Sequence, residues 1–423
     1  MKAVRILTII AIILLIAVGT TIVVLYNSDA YKDQQVMKDV ESDPGETADQ
    51  VQNGTNDVHM QEHLDTDTTD GNRNNENGTE GQDTPGIADE PSEPKEPEEP
   101  ELRFIAVGDI MLGRGVEYWI KQNGDYDMAF EKVKPILEMG DVVFGNLESP
   151  LTSSTKGLNK NGKIVLKGAP ESVTALTSAG FNLLSLSNNH IMDYYEQGLL
   201  DTMELLDQND IIHAGGGRNI EEARKLAIIE KSGLKIGLLA YTDMAEIIFA
   251  GDPYLSFAAG PEKSGVVPRK YETIKEDIDK ARGQVDLLAI SLHWGIEESF
   301  RVTPEQIEFA HMLIDDGADI ILGHHPHQFQ GIEIYNNKPI LYSMGNILFD
   351  QNESENMESF IVDMKYKGTE LTQFTAIPVR ILKKSYVEVQ TGTDAAGIIE
   401  RQAELCRKLG TDPVTDNDIL VFK

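Results

Sequence analysis

One stretch restricts the possible folds more than any other. Residues 318–328 form an apolar, strand-like run that ends at Gly323 and continues into His324, His325 and His327. Because strands of an open α/β sheet end at its ligand-binding edge, the pattern places imidazoles at that edge. Imidazole is the commonest metal ligand among side chains, and Pro326 favours an extended backbone at the residue before it. The stretch predicts a metal site, with a His-rich surface turn as the alternative.

Strand and helix signals alternate along the chain from residue 102. Strand-like runs cover residues 104–107, 142–144, 181–186, 234–241 and 287–292. Helical spacing covers residues 126–139, 171–179, 197–208, 269–281 and 304–315. The alternation predicts an α/β fold with a largely parallel sheet. Residues 357–390 instead alternate as antiparallel strands do, and residues 395–409 have the spacing of a closing helix.

Side chains of metal-ligand type recur at one place in successive units, just past each strand. They are Asp109, Asn146, Glu148, Asn189, His190, His293, His325 and His327. Since parallel strands share a direction, we expect these residues to meet at one sheet edge. Carboxylate, amide oxygen and imidazole together suit Mn²⁺, Fe²⁺ or Zn²⁺ better than Ca²⁺. A carboxylate shared by two cations would give a two-metal site that activates water for a displacement at phosphorus or carbon.

Each of these residues also has a structural explanation. Asp109 could cap a helix or form a turn, and Glu148 could be an ordinary loop acid. Asn189 could be a turn residue, with Asn188 as the alternative amide, and His293 could be a packed histidine. His311 lies inside an amphipathic helix pattern, and we expect it to be structural.

The amino terminus carries a membrane signal. Residues 6–26 are almost wholly apolar and uncharged, and about 20 such residues cross a bilayer. Lys2 and Arg5 precede the run and acidic residues follow it from Asp29, which predicts a cytoplasmic amino end. We interpret residues 1–28 as a single-pass anchor in the cell membrane with the later domain outside. A cleaved signal peptide is the alternative, and it would also export the domain.

Residues 29–101 form an acidic linker. They contain 22 acidic and four basic residues, a net charge of −18, and too little apolar surface to fold. We expect a disordered, extended spacer. The net charge of −33 for the whole chain makes nucleic acid an unsuitable partner. The single cysteine, Cys406, excludes an intrachain disulfide and a Cys₄ or Cys₂His₂ zinc site.

Six segments, taken in order, resemble a known family. They are residues 104–114, 145–148, 187–193, 293–295, 323–327 and 342–346. Together they are similar to the CapA/PgsA proteins of bacterial poly-γ-glutamate capsule synthesis. The resemblance implies a calcineurin-like metallophosphoesterase fold, with two β-sheets between layers of helices, over residues 102–350. Residues 351–423 would complete that domain with strands and a helix.

The resemblance also implies a metal-ligand set. Asp109 and His327 would bind a first divalent metal ion. A second would be bound by Asn189, His293 and His325.

Two positions in this set depart from the usual pattern. Asn146 stands where a bridging aspartate is usual, and Glu148, on the same strand face, would supply the missing charge. Met111 replaces the usual histidine of the first site, and a thioether is a poor ligand for a hard cation. The resemblance therefore implies one or two metal ions, with the first site depleted.

Substrate contacts and partners follow from the same resemblance. His190 would face the substrate, oriented by Asp193, and Arg114 would contact an anionic substrate group. Apart from the resemblance, we expect any grip on the polymer to come from the metal edge and the nearby Arg114 or Lys167. The partners would be the membrane subunits of the poly-γ-glutamate synthetase and the polymer itself. The leading hypothesis is a membrane-anchored extracellular component of polymer synthesis or export. The alternatives are a metal-dependent hydrolase of a phosphoester or of the polymer amide, and a binding module with a structural metal.

Overall fold

The structure is a computed structural model, and it describes residues 99–158, 164–246 and 256–423. The predicted anchor at 6–26 and nearly all of the predicted linker lie outside these residues. Within the described ranges, no helix combines the length and apolar character needed to cross a membrane.

The strands and helices follow in chain order. The strands are β1 Glu101–Ile110, β2 Val142–Leu147, β3 Leu183–Ser185, β4 Ile212–Ala214, β5 Gly216–Gly217, β6 Ala227–Lys231, β7 Leu234–Thr242, β8 Gly265–Val266, β9 Leu287–His293, β10 Ile320–His324, β11 Ile332–Tyr335, β12 Lys338–Leu341, β13 Asn346–Leu348, β14 Glu358–Lys367, β15 Glu370–Leu382, β16 Tyr386–Val389, β17 Val414–Asp416 and β18 Ile419–Phe422. The helices are α1 Arg114–Asn123, α2 Lys134–Leu137, α3 Val173–Ser178, α4 Tyr195–Gln208, α5 Ile220–Ala223, α6 Tyr271–Ala281, α7 Pro304–Asp315 and α8 Gly392–Arg407.

Two large sheets carry the fold. The first has the order β17-β18-β15-β14-β1-β2-β3-β4, with β13 also paired to β1 and β16 to β15. Its strands β1 to β4 are parallel, whereas β14 to β18 pair antiparallel. The second has the order β11-β12-β10-β9-β7-β6, with a parallel centre and antiparallel edges. The predicted α/β class is confirmed, as are the antiparallel strands after residue 357.

The core lies in layers because alternate strand residues face opposite ways. Phe104 and Ala106 of β1 pack with Leu238 of β7 and Leu322 of β10 between the two sheets. The other face of β1 packs under α1, α3 and α4, and the outer face of the second sheet packs under α6 and α7. Helix α8 packs into the core between the sheets. Strands buried on both faces explain the continuous apolar runs in the sequence.

One predicted helix is interrupted. Instead of a helix over residues 126–139, the chain forms a 3₁₀ turn at Asp127–Ala129 and then the short helix α2. Pro135 lies in the first turn of α2. Because proline has no N–H and its ring clashes with the preceding turn, it starts a helix and cannot continue one.

Strand β1 changes partner at Gly108, and that change positions the functional edge. Residues 101–106 pair with antiparallel β14, whereas Asp109 pairs with Asn346 of parallel β13. The Asp109 N–H donates to Gly345 O at 2.8 Å. A Cβ atom at Gly108 would lie 1.9 Å from Gly345 O, so only glycine permits this approach.

We predict that Gly108→Ala destabilises the protein by about 1–3 kcal/mol or more, because the added methyl group has no room. Urea unfolding measures the change. The control is Gly283→Ala, since no described heavy atom lies within 4 Å of a Cβ built there. Equal unfolding midpoints for the two variants would contradict the close approach.

Candidate metal centre

The candidate ligands come from both large sheets and meet at one edge. Asp109 and Asn146 are paired in register near the ends of β1 and β2, and Glu148 follows β2 directly. His293 is the last residue of β9 and is paired with His324 of β10. The loop after β3 carries Asn189 and His190, and the contact of Asn189 Oδ1 with His293 Nε2 places this loop at the same edge.

Two carboxyl groups lie wholly buried in this edge. Asp109 and Glu148 both have 0% exposure, and neither oxygen of Glu148 has a hydrogen-bond partner among the described residues. Burial, and then the charge of Asp109, raise the pKa of Glu148 well above its usual range. Burial also acts to raise the pKa of Asp109, but the neighbouring His324 ring, together with His327 and the Asn146 amide, outweighs it, and the pKa is lowered. Without a cation, burial therefore favours the protonated form of Glu148.

Nitrogen and oxygen donors converge beside these carboxyl groups. His293 Nε2 lies 2.9 Å from Asn189 Oδ1, 3.1 Å from His325 Nδ1 and 3.8 Å from Glu148 Oε1. Burial lowers the pKa of His293 well below its ordinary value and that of His325 to about 4. Both rings are therefore neutral at pH 7 and can offer lone pairs to a cation.

A divalent cation fits this group of donors. Asp109, Glu148 and His293 each bring one ligand atom within 4.8 Å of the others. A cation would bind the carboxylate of Glu148 and accept lone pairs from the neutral imidazoles. Mixed carboxylate, amide and imidazole donors suit a transition metal such as Mn, Fe or Zn. The arrangement supports the predicted divalent metal without identifying it.

The three asparagines of this edge, Asn146, Asn188 and Asn189, differ in what their amide groups contact. The Asn188 amide donates to Leu147 O and Asn146 Oδ1, and its own Oδ1 accepts from two backbone N–H groups. The Asn146 amide nitrogen consequently faces Asp109 Oδ1 at 2.8 Å. Asn189, not Asn188, directs its Oδ1 at His293. The structure thus distinguishes the two amides left open by the sequence. Asn146 contacts Asp109 and Asn188 in the absence of a cation, and its role as a metal ligand stays a prediction.

The backbone conformation of residues 324–327, the histidine turn, differs from expectation. His325 has φ +100° and His327 has φ +59°, so His325 is not in the extended conformation that Pro326 favours. The turn is held by tertiary contacts: the His325 N–H donates to Asp109 Oδ2, and Pro326 O accepts from the Glu298 N–H. Residues in such sparsely populated conformations persist only where their surroundings hold them.

Sequence reasoning missed two residues of this centre. His324 is fully buried, and its Nδ1 lies 3.1 Å from Asp109 Oδ1. Asn346 Oδ1 lies 2.9 Å from His327 Nδ1. His324 was present in the histidine run. Assigning it would have required knowing that the alternation of side chains along β10 directs this ring between the two sheets. Asn346 lay in a segment of the family resemblance and had no assigned role.

His190 lies at the rim of this edge, beside the fully buried Asp193. His190 Nδ1 lies 2.7 Å from Asp193 Oδ2, and the His190 side chain is 11% exposed. Asp193 Oδ2 also accepts from the Leu166 N–H, so one carboxylate contacts both the imidazole and the segment before Lys167. This is the geometry that orientation of His190 by Asp193 requires, and the catalytic role stays a prediction.

Arg114 and Met111 have local partners. Arg114 Nε lies 3.1 Å from Asp350 Oδ2, so its charge is partly neutralised, and its side chain is 38% exposed. Met111 is buried, and its Sδ accepts from the Gly113 N–H at 3.0 Å. The sulfur therefore stabilises the turn that leads into α1.

His311 lies outside this group of residues. Its ring stacks on Tyr335 with centroids 3.8 Å apart, and its Nε2 contacts Glu333 Oε1 at 2.9 Å. These contacts agree with a structural role and make His311 a useful control position.

We predict that Glu148→Gln makes the metal-free protein more stable at pH 8. A carboxyl whose native pKa lies above its unfolded value binds more protons when folded, so its contribution to stability falls as pH rises between the two values. Glutamine keeps the shape and cannot ionise, so the variant avoids the cost of charging this buried group; stability at pH 8 should rise by roughly 1.4 kcal/mol for each pH unit that separates the two pKa values below pH 8, and by less near pH 4. Thermal unfolding with a chelator, with exposed Glu196→Gln as control, measures this. A pH-independent difference would contradict the assignment.

Comparison with known proteins identifies the family of this chain. The sequence model of a family described as bacterial capsule synthesis protein PGA_cap matches residues 103–351. The chain is 32% identical to the capsule biosynthesis protein CapA of Bacillus anthracis, over 70% of this chain and 71% of that protein. It is 35% identical to the PGA biosynthesis protein CapA of Bacillus subtilis (strain 168), over 65% of this chain and 70% of that protein.

Solved structures are more distant. A crystal structure of 5′-nucleotidase from Candida albicans SC5314 aligns with a TM-score of 0.39 and 11% identity, covering 74% of this chain and 60% of that one. The chain thus spans less than two thirds of that protein. The match over residues 103–351 and the two Bacillus relatives show that this chain belongs to the CapA/PgsA family of bacterial capsule synthesis proteins.

Proposed function

We propose that the chain is a membrane-anchored, extracellular component of poly-γ-glutamate synthesis or export, and that its sheet edge binds a divalent metal ion. Membership of the capsule synthesis family and the names of the two Bacillus relatives support the first part. The observation that carries the second is the buried carboxyl group of Glu148, which lies beside the His293 imidazole and has no hydrogen-bond partner among the described residues.

The donors define where cations would be held. Asn189, His293, His325 and Glu148 would hold one cation. Asp109 would contribute to that site. With His327, it would also contribute to a second metal site, in which Met111 stands in place of the usual histidine. A cation bound there would polarise a phosphoryl or carbonyl oxygen of a substrate. The two-sheet α/β architecture supports a metallophosphoesterase-type site.

Two basic residues, Arg114 and Lys167, suggest how an anionic polymer would be bound. Strand-like pairing of Gly113 with Gly168 brings the neighbouring Arg114 and Lys167 backbones together. Lys167 Nζ donates to Ser154 O and lies 5.0 Å from the Tyr194 ring. The positive side chains of Arg114 and Lys167 would attract the carboxylates of poly-γ-glutamate, whereas an acidic linker at 29–101 would repel them.

One observation favours the hydrolase alternative. The His190–Asp193 contact is the arrangement that holds an imidazole ready to transfer a proton to a leaving group. A metal-dependent hydrolase would act on a phosphoester or on the polymer amide. A binding module with a structural metal would bind metal but show no turnover on either substrate.

Partners and location complete the proposal. The polymer synthetase in the membrane is the proposed partner, and residues 6–26 are the proposed anchor. The acidic segment that follows would hold the domain away from the membrane surface as a spacer.

We predict that chelation lowers the melting temperature of the full-length protein and that Mn²⁺ or Zn²⁺ restores it. A cation that binds only the native state adds about 2.7 kcal/mol at a hundredfold excess over Kd. His327→Ala and Glu148→Ala should reduce the metal-dependent shift. His311→Ala should leave the shift intact, even though it removes a stacked ring and lowers stability. Metal-free protein with an unchanged melting curve would remove the metal hypothesis.

The same two ligand variants should lose polymer production in cells while still reaching the membrane. Immunoblots of the membrane fraction control for their abundance. Normal polymer in variants that have lost metal would reduce the metal to a structural remnant and leave the anchored domain as the functional part.

We predict that protease added to intact protoplasts releases a soluble fragment of about the size of residues 102–423. The charge order around residues 6–26 is the reason, because it places the domain outside. A cytoplasmic marker protein should stay intact in the same sample. Full protection of the domain would overturn the proposed topology.

A further inference from the structure

Residues 343–346 were part of the family resemblance without an assigned function, and the structure shows them held on two sides. The Met344 N–H donates to Gly323 O at 3.1 Å, and Gly345 O accepts from the Asp109 N–H at 2.8 Å. Gly345 has φ +62°, a conformation that glycine adopts without strain. The segment therefore delivers Asn346 to a fixed place between β1 and the histidine turn.

The orientation of the Asn346 amide follows from its partners. Its Nδ2 lies 2.9 Å from the backbone carbonyl Asn356 O and 3.0 Å from Gln351 Oε1. A carbonyl oxygen can only accept, so the NH₂ group must be on this side. The Asn346 Oδ1 is then the atom that faces His327 Nδ1, at 2.9 Å.

This orientation decides where His327 carries its proton. Because Asn346 Oδ1 accepts, His327 Nδ1 must donate, and in the neutral ring the lone pair is then on Nε2. Asp109 Oδ2, 3.7 Å from the same Nδ1, favours the same tautomer. The Phe349 ring packs edge-on against the imidazole, with centroids 4.9 Å apart. Asn346 itself is fully buried, so its amide group is shielded from solvent.

We propose that Asn346 is a positioning residue for His327: its Oδ1 fixes the tautomer with the proton on Nδ1, so that Nε2 offers a lone pair to a cation. Partners of this kind fix the ring orientation of metal-binding histidines and raise their basicity. The cation rests on the proposed function, whereas the tautomer does not. The 342–346 segment thereby gains a physical role.

The tautomer is tested first, in metal-free full-length protein in detergent micelles. The chain has nine histidines, so ¹⁵N-histidine labelling gives few signals, and His327→Ala identifies the one of interest. Long-range ¹H–¹⁵N correlation should show His327 protonated on Nδ1. Asn346→Leu should produce a substantial population protonated on Nε2, whereas Asn346→Asp, which keeps an acceptor, should retain Nδ1–H. A wild-type ring protonated on Nε2, or an Asn346→Leu spectrum identical to the wild type, would overturn the proposal.

A double-mutant cycle then tests the effect on the metal. Calorimetric titration with Mn²⁺ should show affinity ten- to a hundredfold lower in Asn346→Leu, and no further loss when the change is made in His327→Ala. Asn182→Leu is the matched control, because that amide bonds only backbone at the far end of β2 and β3. It should lower stability without changing affinity. An equal loss in both backgrounds would show a general structural effect and overturn the positioning role. A wild type that binds no Mn²⁺ would defeat the proposed metal function, while the tautomer result would still decide the role of Asn346.

Discussion

The burial of two carboxyl groups beside each other is the constraint on which this sheet edge depends. Removing a carboxylate from water costs several kcal/mol unless other groups compensate. Asp109 is compensated by the Asn146 amide, the His325 N–H and the His324 ring. Glu148 has no such partner among the described residues, and so it must hold a proton or meet a cation. Neutral imidazoles beside it favour the cation, because they add lone pairs without adding positive charge.

The fold makes this burial possible by bringing two sheets to one edge. Asp109 ends a strand of the first sheet and His293 ends a strand of the second, and a continuous apolar layer holds the sheets together beneath them. The change of partner at Gly108 brings β13 and Asn346 alongside Asp109. Close packing at Gly108, the residue before Asp109, thus fixes distances within the site, and its loss would shift the donor atoms.

Sequence patterns predicted the elements that depend on local signals. Strand ends and ligand-type residues could be located because apolar runs stop where polar side chains begin, and α7 was predicted from its helical spacing. The orientation of Asn146 could not be predicted, because it depends on Asn188, 42 residues away. The φ of His325 also required tertiary contacts, which outweigh the preference set by Pro326. The role of Asn346 depends on carbonyl and amide groups in a loop that sequence alone does not place.

The central claim is that the buried donors at this edge bind a divalent cation. Anomalous diffraction from crystals of the protein equilibrated with Mn²⁺ tests it most directly, because the signal locates the metal without assumptions about chemistry. The account predicts a peak within bonding distance of His293 Nε2 and a Glu148 carboxylate oxygen. No anomalous peak at this edge, with Mn²⁺ in saturating excess and the Glu148 oxygens bonded to protein or water instead, would contradict it.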